Sequence, residues 1–119
     1  MTLSECYRAF GGNLQEVLLR LPSDRLIIKL LRKFPEDPSF RQLTAALETG
    51  DLETAFRGAH SLKGLCMNLG FPLLQTSSAA LTEALRPGTP FREAEVAALL
   101  EKTRADYETV CGAIARLEI

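Results

Sequence analysis

Histidine occurs once in the chain, at position 60, and the residues around it carry the sequence's clearest chemistry. Lys63 follows at i+3, Gly64 at i+4, and Arg57 precedes at i−3. On a helix, residues three and four apart are surface neighbours, so an imidazole, an amine and a stretch of bare backbone would share one patch. A neutral imidazole is a nucleophile, and a phosphoryl group carried on it is stabilised by a cation within reach. Gly64 costs an exposed helix about 1 kcal/mol relative to alanine. Two gains could offset that: packing against a neighbouring helix, or room for a phosphoryl group or another protein's backbone to approach. Lys63 also has two readings, a cation for the phosphoryl group or a stem laid over the edge of the core.

The element that must position these groups runs from Asp51 to Gly70. On a helical wheel at about 100° per residue, Leu52, Ala55, Phe56, Ala59, Leu62, Cys66 and Leu69 share one arc, the expected buried face. His60 lies roughly 120° from the middle of that arc, at the solvent edge. Arg57, Ser61, Gly64, Met67 and Asn68 fall on the solvent side and form a candidate face for a protein partner. Phe71 and Gln75 are expected to extend it.

The rest of the chain reads as helices separated by Gly and Pro. Thr2 or Ser4 caps a short helix to Phe10, Gly11-Gly12 breaks it, and Asn13 caps a second that Pro22 stops. These two pieces are expected to close one end of a bundle. Ser23 caps a third helix with Leu26, Ile27, Leu30, Leu31 and Phe34 on one side. Pro35 and Pro38 predict either a kink or a break there; the break is favoured, with Asp37 as cap and Pro38 at the first position of a helix ending at Gly50.

After Gly70, Pro72 opens a helix whose inward face is predicted to hold Leu73, Leu74, Ala80, Leu81, Ala84 and Leu85. Thr89 and Pro90 are expected to start the last helix, in which Val96, Leu100, Thr103, Tyr107, Val110, Ile114 and Leu117 recur at spacings of three and four. No stretch alternates with period two. The expected architecture is all-α: an antiparallel up-and-down four-helix bundle with short additional N-terminal helices, forming a single domain over residues 1–119.

Composition narrows the function classes. The formal net charge is −1, without the clustered basic surface that nucleic acid demands. Apolar runs such as Leu26 to Leu31 are short and broken by charge, which argues against a membrane span. Glu5 and Gly11-Gly12 interrupt any signal-peptide core, so a cytoplasmic location is expected. Three cysteines without a CxxC pair, Cys6, Cys66 and Cys111, suggest reduced, packed thiols. With one histidine and no thiol cluster, neither a metal site nor any other bound cofactor is expected. No GxxxxGK[ST] loop is present, so no route from ATP is visible.

Ala59-His60-Ser61-Leu62-Lys63-Gly64, followed by Leu69-Gly70, resembles the motif of histidine phosphotransfer (HPt) domains of bacterial two-component phosphorelays. The resemblance takes in the ALETGD run before the helix and the leucine-rich helix after it, and so covers nearly the whole chain. It implies that His60 is the phosphorylated residue, that Lys63 neutralises the phosphoryl group, and that Gly64 opens the docking surface. It further implies that the partners are receiver domains of response regulators and a hybrid sensor histidine kinase, and that magnesium belongs to the receiver.

Three other readings compete with it. The phosphoacceptor helix of a sensor kinase usually has an acid directly after the histidine, where Ser61 stands here. A detached phosphotransfer domain of a chemotaxis-type kinase shares the HSLKG run. A helical adaptor would keep the surface without the chemistry.

Overall fold

The fold was taken from a computed structural model, which describes residues 1–118. Seven α-helices follow one another: α1 (Leu3–Ala9), α2 (Leu14–Leu18), α3 (Asp24–Lys33), α4 (Ser39–Thr49), α5 (Leu52–Leu69), α6 (Pro72–Leu85) and α7 (Glu93–Ala115), with a 3-10 turn over Phe34–Glu36 between α3 and α4. Among the described residues there is no strand. Tight turns send α5, α6 and α7 up and down against one another, and α4 with α3 completes the bundle.

The first long strut is therefore in two pieces, and proline explains why. Pro35 is the second residue of the 3-10 turn, and its ring cannot continue the helix of Lys33. The carboxylate of Asp37 then accepts from the Ser39 N–H at 2.8 Å, and α4 starts one residue later than expected, with Pro38 in the cap position and Ser39 as its first residue. The break is a gain for packing, because α4 and α3 meet different halves of α5. Gly58 is where α4 comes closest: a Cβ there would lie 3.0 Å from the backbone N of Leu43 and O of Ser39. Glycine permits that approach without displacing the backbone of α4.

Gly50 and Gly70 end α4 and α5 in the left-handed region, at φ 77° and 79°. Each reverses the chain within two residues, which makes α5 antiparallel to both neighbours. Asp51 caps α5 by accepting from the N–H of Thr54 at 3.1 Å and from its hydroxyl at 2.7 Å. Eighteen residues give α5 a length of about 27 Å.

Leu43, Leu62, Cys66, Leu74, Leu81 and Val110 are wholly inside. At one end of the bundle Tyr7, Phe10, Phe71 and Phe34 form a chain of edge-to-face rings with centroids 4.8–5.0 Å apart. Through these contacts α1 closes that end, and the buried Val17 of α2 packs beside Gly70. Two features of the outer helices depart from the periodicity. α6 buries Leu74, Leu81 and Leu85 together with Ser77, Ser78 and Thr82, whereas Leu73 is 53% exposed and Ala80 faces solvent. The three hydroxyls donate to carbonyls of their own helix, so their burial leaves no donor unpaired. α7 starts at Glu93, not Pro90, because Pro87 to Arg92 form a turn and an extended lead-in.

Candidate functional site

α5 presents its middle turns to solvent. His60, Ser61, Gly64, Met67 and Asn68 are exposed, Arg57 is exposed one turn before, and Lys63 is half-buried on the flank toward α6. Ala55, Gly58, Ala59, Leu62, Cys66 and Leu69 form the opposite, buried side. Leu52 and Phe56, expected inside, lie at the margin: Leu52 is 37% exposed and Phe56 is half-buried. The inner arc is covered only where a neighbouring helix reaches it, and the first turn of α5 projects toward an open cleft lined by Leu85, Arg86 and Pro87.

Gly64 is the most informative backbone position. A Cβ built there meets nothing within 4 Å, so no helix of this chain requires a glycine at 64. The packing reading belongs to Gly58, six residues earlier. What the missing side chain leaves is an unobstructed approach beside His60.

Charge around the imidazole is more evenly balanced than the sequence suggests. Arg57 donates to the Glu53 carboxylate at 3.0 Å and to Thr54 at 3.4 Å, so its guanidinium is drawn back toward the start of α5. Arg86, at the end of α6, donates to both carboxylate oxygens of Glu83. Those hydrogen bonds, and in smaller measure the charges of Arg86 and Lys63, hold the Glu83 carboxyl below its ordinary range. Lys63 makes no ion pair among the described residues. Of the three cations near His60, it is the one available to an incoming anion.

The imidazole also has a ring beside it. Phe56, one turn before His60, lies nearly parallel to it, with centroids 6.0 Å apart and planes 17° from one another. The Arg86 guanidinium carbon sits 5.3 Å from the centroid of the Phe56 ring. Periodicity assigned Phe56 to the core and so missed this contact.

Phe71, expected to extend the partner surface, is fully buried, stacked edge-on with Phe10 and Phe34. The left-handed Gly70 turns the chain inward, and the wheel of α5 does not continue past it. Gln75 is half-buried on α6. The far end of the exposed stripe is fixed by the N-terminal segment: Arg20 donates to the carbonyls of Met67 and Asn68 at 3.1 and 3.3 Å, and the buried Tyr7 hydroxyl donates to Leu69 at 2.7 Å. Three carbonyls that a helix end leaves without partners are thereby satisfied. Nothing local in the sequence signals these contacts, which span 47 to 62 positions.

The described residues hold no group of three or more potential metal-ligating side chains, and no helix among them is long and apolar enough to cross a membrane. The carboxylates of Glu53 and Glu83 are occupied by the guanidinium groups of Arg57 and Arg86. What remains is an exposed imidazole with one available cation and a bare flank, an arrangement that leaves room for another macromolecule to approach.

Among curated proteins and solved structures, no match was found. The family model described as Hpt domain matches residues 26–113, about three quarters of the chain, from α3 to the last turn of α7. Members of that family carry phosphoryl groups in two-component phosphorelays, interact with receiver domains and have no kinase activity of their own. With the match covering the bundle and the histidine helix alike, the chain belongs to the Hpt domain family.

Proposed function

We propose that this chain is a phosphorelay intermediate in which His60 accepts a phosphoryl group from the aspartyl phosphate of one receiver domain and passes it to the aspartate of another. In the first step a ring nitrogen lone pair attacks phosphorus, the bond to the aspartyl oxygen breaks, and the carboxylate leaves. In the second, a receiver carboxylate attacks, the P–N bond breaks, and the imidazole recovers its electron pair. Lys63 offsets phosphoryl charge in both steps. The bundle contributes position: Asp51 fixes the start of α5, Arg20 and Tyr7 its end, and His60 stands between them.

The observation that carries this reading is Gly64. The chain accepts a helix-weakening residue beside an exposed histidine where its own packing asks for none. The docking face comprises Ser61, Gly64, Met67 and Asn68, with Arg57 and Gln75 at its borders. Magnesium, where the transfer uses it, is assigned to the receiver, and residues 1–119 are taken to act as one domain in the cytoplasm.

Incubating the chain with a receiver domain carrying radiolabelled aspartyl phosphate tests the proposal. Label should move to the wild-type chain and not to His60→Gln. Binding without transfer would instead identify an adaptor.

A further inference from the structure

The stack of His60 on Phe56 gives this site a part that the relay reading does not require. An imidazole at an exposed helix position ordinarily samples several rotamers in solvent. Here its motion is opposed by a ring one turn away, near parallel at 6.0 Å between centroids, within the range of favourable offset stacking.

Phe56 is itself held. It lines a cleft with Leu52 and Leu85, and the guanidinium of Arg86 lies over it at 5.3 Å, a cation–π contact. Arg86 in turn is fixed through three hydrogen bonds from its side chain to the two carboxylate oxygens of Glu83. The order of dependence runs from the end of α6 to the middle of α5: Glu83 orients Arg86, Arg86 covers Phe56, and Phe56 supports His60. Gly64 and Lys63 follow His60 in the next turn, so the stack occupies the side toward Phe56 and leaves the approach over Gly64 open.

We infer that Phe56 is a positioning residue for phosphoryl transfer, a shelf that holds the His60 ring in one orientation with its nitrogens presented to the incoming phosphorus. This rests on the proposal that His60 is the phosphoacceptor. An imidazole already in the attacking orientation spends less entropy in reaching the transition state. Phe56 touches neither phosphorus nor partner in this scheme. Its effect should therefore appear in the rate of transfer within the docked complex and not in docking affinity.

Because the chain has one histidine, its ring resonances are unambiguous in NMR spectra. In the wild-type chain the coupling constants across the His60 Cα–Cβ bond should report one dominant rotamer, and its carbon-bound ring protons should move when Phe56 is replaced by leucine. Single-turnover transfer from a phosphorylated receiver, taken to saturation, should show Phe56→Leu lowering the limiting rate constant roughly 2- to 10-fold, the equivalent of one aromatic stacking contact. The half-saturating receiver concentration should stay unchanged, and Phe56→Tyr, which keeps the ring, should restore the rate.

Rotamer-averaged couplings in the wild-type chain would overturn the inference whether or not any variant folds. So would a Phe56→Leu chain of native helicity that transfers at the wild-type rate. Failure of the wild-type chain to take up any label would instead refute the relay itself.

Discussion

Replacing Gly64 by alanine should move stability and function in opposite directions. The added Cβ meets nothing within 4 Å, and position 64 lies inside the 18-residue α5, so the free chain gains the ordinary helix preference of alanine, about 1 kcal/mol. For a domain of this size that raises Tm by roughly 3–6 °C. In the docked complex the same methyl group stands on the open flank of His60, where a close-packed partner would have to move; overpacking of this kind costs about 1–3 kcal/mol, or roughly 5- to 150-fold in affinity. Urea or thermal unfolding gives the first quantity, and transfer from a phosphorylated receiver at sub-saturating concentration gives the second.

Two other glycines of the chain serve as controls. Gly112 also has open space around its Cβ position, and Gly112→Ala should stabilise by about 0.5–1 kcal/mol with transfer unaffected. Gly58→Ala places a methyl 3.0 Å from the backbone of Ser39 and Leu43 and should destabilise by on the order of 1 kcal/mol net of helix preference. A Gly64→Ala chain that is less stable than wild type, or that is more stable and transfers at the wild-type rate, would refute the reasoning.

Other outcomes follow from the same geometry. Lys63→Ala should slow transfer up to about 10-fold, the scale of one charge-assisted contact, with the deficit shrinking as salt rises; Lys63→Arg should recover part of it. Tyr7→Phe leaves the buried Leu69 carbonyl without its donor and should cost about 1–2 kcal/mol in urea denaturation, with transfer retained at temperatures where the chain is folded. At acid pH the cap of α5 should weaken. Hydrogen bonds from the Thr54 hydroxyl and N–H hold the Asp51 carboxyl below its ordinary value of 3.8. Its contribution is therefore complete well above pH 3.8 and disappears as pH falls through the lowered folded-state value. Melting curves between pH 6 and pH 2 should show Asp51→Asn, which cannot titrate, losing less Tm on acidification than wild type.

The helices, their order and the break at Pro35 and Pro38 were legible in the sequence because each depends on local chemistry: an oxygen to cap, a proline that cannot donate, a glycine that accepts positive φ. The placement of His60 at the solvent edge follows from a single helix, so the wheel was enough. What the wheel could not supply is what lies opposite. Leu52 and Phe56 sit on the inner arc, yet at the end of α5 less helix covers them. Ser77, Ser78 and Thr82 are inside because hydroxyls can bond to the preceding turn, an option that polarity alone hides. Phe71 follows a left-handed glycine, and a one-residue reversal is enough to convert an expected surface residue into core.

The charge of the site shows the same limit. Arg57 and Lys63 look equivalent beside His60 in the sequence, but Glu53 and Thr54 occupy Arg57. Arg20 and Tyr7 reach α5 from the N-terminal segment with no pattern to announce them. Contacts of this kind depend on which helices meet, and that is settled by packing.

The most direct test of His60 as the carrier is phosphorus NMR on the chain labelled with nitrogen-15 in histidine and phosphorylated by its receiver. A phosphorus resonance split by one-bond coupling to an imidazole nitrogen, lost in acid and absent in His60→Gln, is the predicted result. An uncoupled resonance that persists in His60→Gln, marking a phosphate ester or an acyl phosphate elsewhere in the chain, would contradict it.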